Sequence, residues 1–171
     1  LVFTGKMDYR PNVDGVLWFA DAVWPRILSQ RPGATWAIVG QRPHPRLNAL
    51  RAIRGVTLTG HVPQVQPYLA GAAVYIVPLR IGSGTRLKII EAMASGKPIV
   101  STTIGAEGFA AVDGKHILLA DEPQAWADAI LGLLKDSRRR AAMGAAAREF
   151  AAKYDWRRIV PLVSALYAKN A

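Results

Sequence analysis

No cysteine occurs in the chain, which excludes a disulfide framework and any thiolate metal site and leaves nothing that points to secretion. Acidic residues are scarce, with 12 Asp and Glu against 22 Lys and Arg, a net charge of +10. No apolar run reaches the roughly 18 residues that a membrane-spanning helix needs. Internal repeats and low-complexity linkers are absent too. The opening LVFTGKMDYR lacks the basic, apolar and small-residue order of a signal peptide, so a cytoplasmic location is expected. It starts with Leu inside a strand-like run, and a piece of a longer protein is therefore expected. What remains is an ordinary globular composition, 51% hydrophobic and 20% charged. Its 171 residues suffice for one core but not for two, so residues 1–171 read as one domain. The positive excess predicts an anionic partner: nucleic acid, an acidic membrane surface or phosphorylated ligands. Apart from Arg138-Arg139-Arg140 the basic residues are scattered, and no nucleic-acid-binding signature accompanies them, so nucleic acid is not expected.

Short apolar runs at 1–4, 35–39, 56–59, 74–77, 98–101 and 116–119 alternate with helical stretches at 13–29, 45–51, 65–70 and 86–95. Three further helical stretches follow at 123–135, 138–153 and 156–168. Several of the short runs are continuously rich in Val, Ile and Leu, as strands buried on both faces of a parallel sheet are. The alternation predicts an α/β, Rossmann-like three-layer domain with a six-stranded parallel sheet. In such sheets ligands bind outside the carboxyl ends of the strands. Here those ends are Gly5-Lys6, Gly40-Gln41, Gly60-His61, Pro78-Leu79 and Thr102 onward.

The richest segment is PLRIGSGTRLKIIEAMASGKPIVST, residues 78–102. Gly82, Ser83, Gly84 and Thr85 can bring bare backbone N–H groups to an anion, and the helix that follows points its positive end at the same place. Arg86 and Lys88 add fixed charge, while the carboxylate of Glu91 would repel phosphate but suits sugar hydroxyls. In the helix, Leu87, Ile90 and Ala94 with Ile89 and Met93 read as the buried stripe, and Lys88, Glu91 and Ser95 share another face. Gly96 followed by Pro98 should end the helix. An i,i+3 pair such as Lys88 and Glu91 is ordinary on a helix surface. The glycines at a strand end just before it argue for a cradle that holds a nucleotide attached to a sugar. Leu87 stands where a dinucleotide fingerprint needs its third Gly, and Glu91 with Pro98 excludes a P-loop. His44 and His116 lack metal-ligand spacing, and no metal site is expected. Trp18, Trp24, Trp36 and Trp126 read as core or helix-packing residues.

The stretch PLRIGSGTRLKIIEAMASGKPIVSTTIGAEGF closely resembles the donor-binding signature of glycosyltransferases built from two Rossmann-like domains, the GT-B fold. Among them it is similar to family 4, retaining enzymes that include many bacterial cell-surface polysaccharide transferases. The opening GKMDYRPNVDGVLWFADAVWP is similar to a subgroup of that family, so the resemblance spans essentially the whole chain. It implies a C-terminal domain that holds the nucleotide sugar, inactive or nearly so by itself, with the acceptor-binding N-terminal domain outside this chain. Glu91 would take the ribose hydroxyls as the second Glu of the family's E-x7-E pattern. The first Glu would fall at Ser83, a departure that leaves the Gly-Ser-Gly-Thr loop to supply backbone donors. Arg86 and Lys88 would face the diphosphate and stabilise it as it leaves. Lys6 stands where the family often carries an Arg for the same group. The second basic residue of that pair meets Pro11-Asn12, with Arg10 as a substitute. His61 and Val62 would hold the base, and the loop of Gly105, Ala106 and Glu107 would close over the donor. The resemblance implies a nucleotide diphosphate sugar as substrate, no cofactor or metal, and an acceptor glycan or lipid-linked glycan. It also implies peripheral contact with anionic lipid at the inner membrane face, for which residues 138–140 are a candidate. A nucleotide-sugar epimerase of the same fold and a non-enzymatic basic module remain open as alternatives.

Overall fold

The computed structural model describes residues 1–82 and 84–168, so that Ser83 lies outside the described residues. The apolar runs form six strands: β1 (Val2–Thr4), β2 (Trp36–Val39), β3 (Val56–Gly60), β4 (Tyr75–Val77), β5 (Ile99–Ser101) and β6 (Leu118–Leu119). They make one all-parallel sheet in the order β3-β2-β1-β4-β5-β6. Strands β1, β4 and β5 are buried along their whole length, as their unbroken apolar runs require. Strand order reverses between β1 and β4. That junction is the topological switch point, the place where an open α/β sheet leaves a crevice for ligands.

The segment predicted as one helix over 13–29 is two, α1 (Arg10–Trp18) and α2 (Trp24–Gln30), joined without a break through a π-helical turn at Phe19–Val23. The N–H of Trp24 donates to the carbonyl of Phe19, five residues back. Residues five apart share a face in a π turn but not in an α turn. The wider turn therefore lets Phe19 and Trp24 both pack on Trp36 of β2, with ring centroids 4.7 and 5.8 Å away. The stretch predicted as helical over 45–51 is a 3-10 helix, Pro45–Ala52. The chain continues with α3 (Gln66–Gly71), α4 (Leu87–Ala94), α5 (Pro123–Lys135), α6 (Ser137–Ala151), a 3-10 turn at Ala152–Tyr154, and α7 (Trp156–Ala168). The crossovers from β1 to β2 and from β4 to β5 run in opposite directions along the sheet. Being right-handed, they put their helices on opposite faces. The helical run of α1 and α2 packs with α5, and α4 packs with α6.

Helix α4 buries Ile89, Ala92 and Met93, while Leu87 is 63% exposed. Of the expected stripe, Ile89 and Met93 are buried and Ile90 half-buried, whereas Leu87 and Ala94 are exposed, so the stripe is rotated: the helix begins only at Leu87, and its first residue sits at the rim. Its end is as expected. Gly96 adopts φ +66°, its N–H donates to Met93 O at 2.8 Å, and Lys97 N–H donates to Ala92 O at 3.0 Å. Just there α4 touches α6 main chain to main chain: a Cβ on Gly144 would lie 3.0 Å from the carbonyl carbon of Gly96 and closer still to its oxygen.

The corner between α5 and α6 is held by side chains of the basic run and its neighbour. Asp136 Oδ1 accepts from Arg139 N–H at 2.9 Å, a helix N-cap. Arg140 donates to the carbonyls of Leu133 and Leu134 at 2.6 and 3.0 Å, satisfying the end of α5. Asp136→Ala should cost about 1 kcal/mol, seen as a lower urea midpoint at unchanged m. Strand β6 has two residues where four were predicted. His116 lies instead in a turn, its Nδ1 accepting from Val112 N–H at 3.0 Å. No helix among the described residues is long and apolar enough to cross a membrane.

Candidate functional site

At the carboxyl ends of β1 and β2 the main chains run so close that Gly40 has no room for a side chain. Gly5 N–H donates to Val39 O at 3.0 Å, and a Cβ on Gly40 would overlap the carbonyl of Gly5. This glycine pair forms part of the floor of a cleft of about 320 Å³. Lys6 borders it from the loop after β1, Gln41 from the loop after β2, and His61 and Val62 from the loop after β3. Glu91 reaches it from α4 and is the one carboxylate bordering it among the described residues. Four predicted site residues, Lys6, His61, Val62 and Glu91, therefore meet in one cleft. Gln41 and Val65 also border it and were not predicted, although the Gly40-Gln41 strand end was the available signal for the former.

Lys88, also on α4, is not among the residues that line this cleft; its ammonium lies against Gly5. Its Nζ donates to Asn12 Oδ1 at 2.7 Å and lies 4.3 Å from the ring centroid of Phe3. A Cβ on Gly5 would come within 2.7 Å of Asn12 Nδ2 and 2.9 Å of Lys88 Nζ, so any side chain there would displace the amide and the ammonium. Burial, and then the charge of Arg86, lower the Lys88 pKa to about 7, with Glu91 acting in the opposite direction. Asn12, which stands where the resemblance called for a second basic residue, thus meets a lysine from a different element. Arg10, the suggested substitute, borders a separate cleft with Asp8, Asp14 and His44. Lys6 is exposed, with its Nζ 3.6 Å from Asp8 Oδ1.

The glycine loop precedes α4. Gly82 and Gly84 adopt φ +117° and +88°, which favour glycine strongly. The guanidinium of Arg86, a residue only 6% exposed, donates to Gly82 O at 2.8 Å and so ties the loop to the helix start. Thr85 is exposed between them. The loop of Gly105, Ala106 and Glu107 is fastened to the end of β4 through Thr102. The Thr102 hydroxyl accepts from Gly105 N–H at 2.8 Å and donates to the carbonyl of Leu79. A Cβ on Gly105 would stand 2.5 Å from Ser101 Oγ and 2.8 Å from Val77 O. Neither this loop nor Gly82, Gly84, Thr85 and Arg86 is among the residues that line the cleft. Beneath it, the hydroxyls of Thr4 and Tyr75 share a 2.5 Å hydrogen bond, and burial keeps the Tyr75 phenol neutral by raising its pKa well above the ordinary tyrosine value. Among the described residues no three His, Asp or Glu gather as metal ligands would.

The family of glycosyl transferases group 1 matches residues 1–136. A D-inositol 3-phosphate glycosyltransferase of Corynebacterium urealyticum is 43% identical over 83 residues, 47% of this chain and 20% of the relative. The fold matches the C-terminal domain of a glycosyl transferase group 1 family protein (LpcC) from Francisella tularensis with a TM-score of 0.71. The two are 17% identical over 89% of this chain and 84% of the other. It also matches a variant of TarM from S. aureus, solved in complex with fondaparinux, alpha-GlcNAc-glycerol and UDP, with a TM-score of 0.77. Here identity is 22%, over 99% of this chain and 35% of TarM. The chain thus spans well under half the length of the curated relative and of TarM.

Proposed function

Because the chain belongs to the glycosyl transferase group 1 family, we propose that it holds the donor for transfer of a sugar from a nucleoside diphosphate sugar to an acceptor hydroxyl, with retention of configuration. The observation that carries this reading is the convergence of one carboxylate and two lysines at the switch point of the sheet: Glu91, Lys6 and Lys88. A diphosphate laid across the Gly5 floor would lie between the two ammonium groups. The ribose would then fall to Glu91, and the base to His61 and Val62. As the glycosidic bond breaks, negative charge builds on the leaving diphosphate. Lys88, Arg86 and the N-terminus of α4 are held in place before the reaction and stabilise that charge without reorganising, and Lys6 adds its charge from the exposed loop. Gly82 and Gly84 offer backbone donors near the sugar, and the loop of Gly105, Ala106 and Glu107 closes over it. The acceptor, a glycan or lipid-linked glycan of the cell surface, is bound by a second domain outside this chain.

Calorimetric titration with UDP, GDP, ADP and UDP-glucose tests the reading. One nucleotide should bind selectively, and Glu91→Ala should weaken it by roughly 10- to 100-fold, the value of hydrogen bonds to a charged acceptor. A site that only gathers anions through net charge would instead bind all three nucleotides alike, weaken steeply with salt and ignore the substitution.

A further inference from the structure

Asn12 is one of the few buried polar side chains among the described residues, at 4% exposure, and both ends of its amide are engaged. Oδ1 accepts from the Lys88 ammonium at 2.7 Å, and Nδ2 donates to the main-chain carbonyl of Lys6 at 2.8 Å. An ammonium can only donate and a carbonyl only accept, so these partners fix which way the amide points. A lysine has a long flexible stem. Here its ammonium is held by one acceptor above the Phe3 ring, hard against Gly5. We propose that Asn12 is a positioning residue: it couples Lys88 of α4 to the Lys6 loop, so that cations from two elements meet one diphosphate. This rests on the donor-site reading given above.

A neutral acceptor holds the ammonium without cancelling its charge, leaving that charge for the ligand. The charged groups acting on Lys88 are Arg86, which opposes its protonation, and Glu91, which favours it. From β1 it meets the Phe3 ring and from α1 the uncharged Asn12, while Tyr75 of β4, beside Glu91, is neutral. With its proton affinity near pH 7, Lys88 is partly deprotonated in the empty site, and a bound diphosphate would draw the proton back. Nucleotide affinity should therefore fall as pH rises from about 6 to about 9.

The test uses the 171-residue chain, unsubstituted and as N12L and N12D. Lys88 is titrated through its ε-carbon NMR signal, and UDP, GDP and ADP affinities are measured across the same pH range. N12L removes the acceptor, so the Lys88 midpoint should move down and affinity at neutral pH should drop about tenfold. N12D supplies a carboxylate, so the midpoint should move up and the pH dependence should flatten, even though the added negative charge weakens binding. A merely structural role would not move the midpoint in opposite directions. A Lys88 midpoint unmoved in both variants overturns the coupling by itself. Failure of the unsubstituted chain to bind any of the three nucleotides overturns the donor-site reading and, with it, the role given to Asn12.

Discussion

On the proposed reading of the donor site, replacing Lys88 by methionine is expected to lower sugar transfer about 10²- to 10³-fold, the usual loss when one preorganised donor is removed from where charge develops. Methionine keeps the length of the stem and its packing on Phe3 but removes the charge, so the loss should fall on kcat rather than on folding. Steady-state rates with saturating donor decide the matter: a variant within about threefold of the parent would remove Lys88 from the leaving-group site. The same substitution has a second, independent signature. Lys88 has a pKa of about 7 in the folded chain and an ordinary value of 10.5 when exposed. Between these values the unfolded chain binds more protons than the folded one, so this lysine makes stability increase as pH rises through that window. Urea midpoints of the parent should therefore gain on those of K88M from neutral pH towards pH 10.5.

The largest effect on stability should come from Trp126→Ala, about 3–5 kcal/mol, which for a chain of this size is a fall in thermal midpoint of roughly 10 °C. Trp126 is fully buried on α5, its ring edge-on to Phe19 at 5.6 Å and to Trp18 at 6.0 Å. Through Phe19 it joins Trp36 and Trp24, so the cluster pins the helices of one face to the sheet. Among the described residues its Nε1 has no hydrogen-bond partner, and the side chain contributes through packing alone. Trp126→Phe should accordingly cost much less, below about 1.5 kcal/mol, because the smaller ring fills most of the space and removes a donor that has nothing to satisfy. Equal losses for the two variants, measured by thermal unfolding, would show that the indole is held by more than shape.

The parallel sheet was legible because β1, β4 and β5 are unbroken apolar runs, and the end of α4 because Gly96 and Pro98 sit where a helix must stop. Glu91, Lys6 and His61 were legible for a related reason: a doubly wound sheet gathers whatever follows its strands at one edge. What escaped depends on contacts between distant segments. Asn12 looked like a missing cation until its amide met Lys88, 76 residues away. The π turn at Phe19–Val23 follows from the demand that Phe19 and Trp24 both reach Trp36, a tertiary requirement with no local sign. The rotation of α4, with Leu87 outside, depends on where the helix starts relative to the sheet rim, and periodicity leaves that phase open.

Where α4 meets α6, Gly96 and Gly144 touch backbone to backbone. Their meeting point lies at the opposite end of α4 from the helix start. In a saturation library the two positions should nevertheless be as intolerant as Glu91 or Lys88. Any side chain at Gly144 would drive the helices apart, and at Gly96 it would meet the φ of +66°. Since α4 carries both Lys88 and Glu91, the damage would register as lost donor binding. Mutational sensitivity at this crossing would then outline a lever arm of the site rather than a second site.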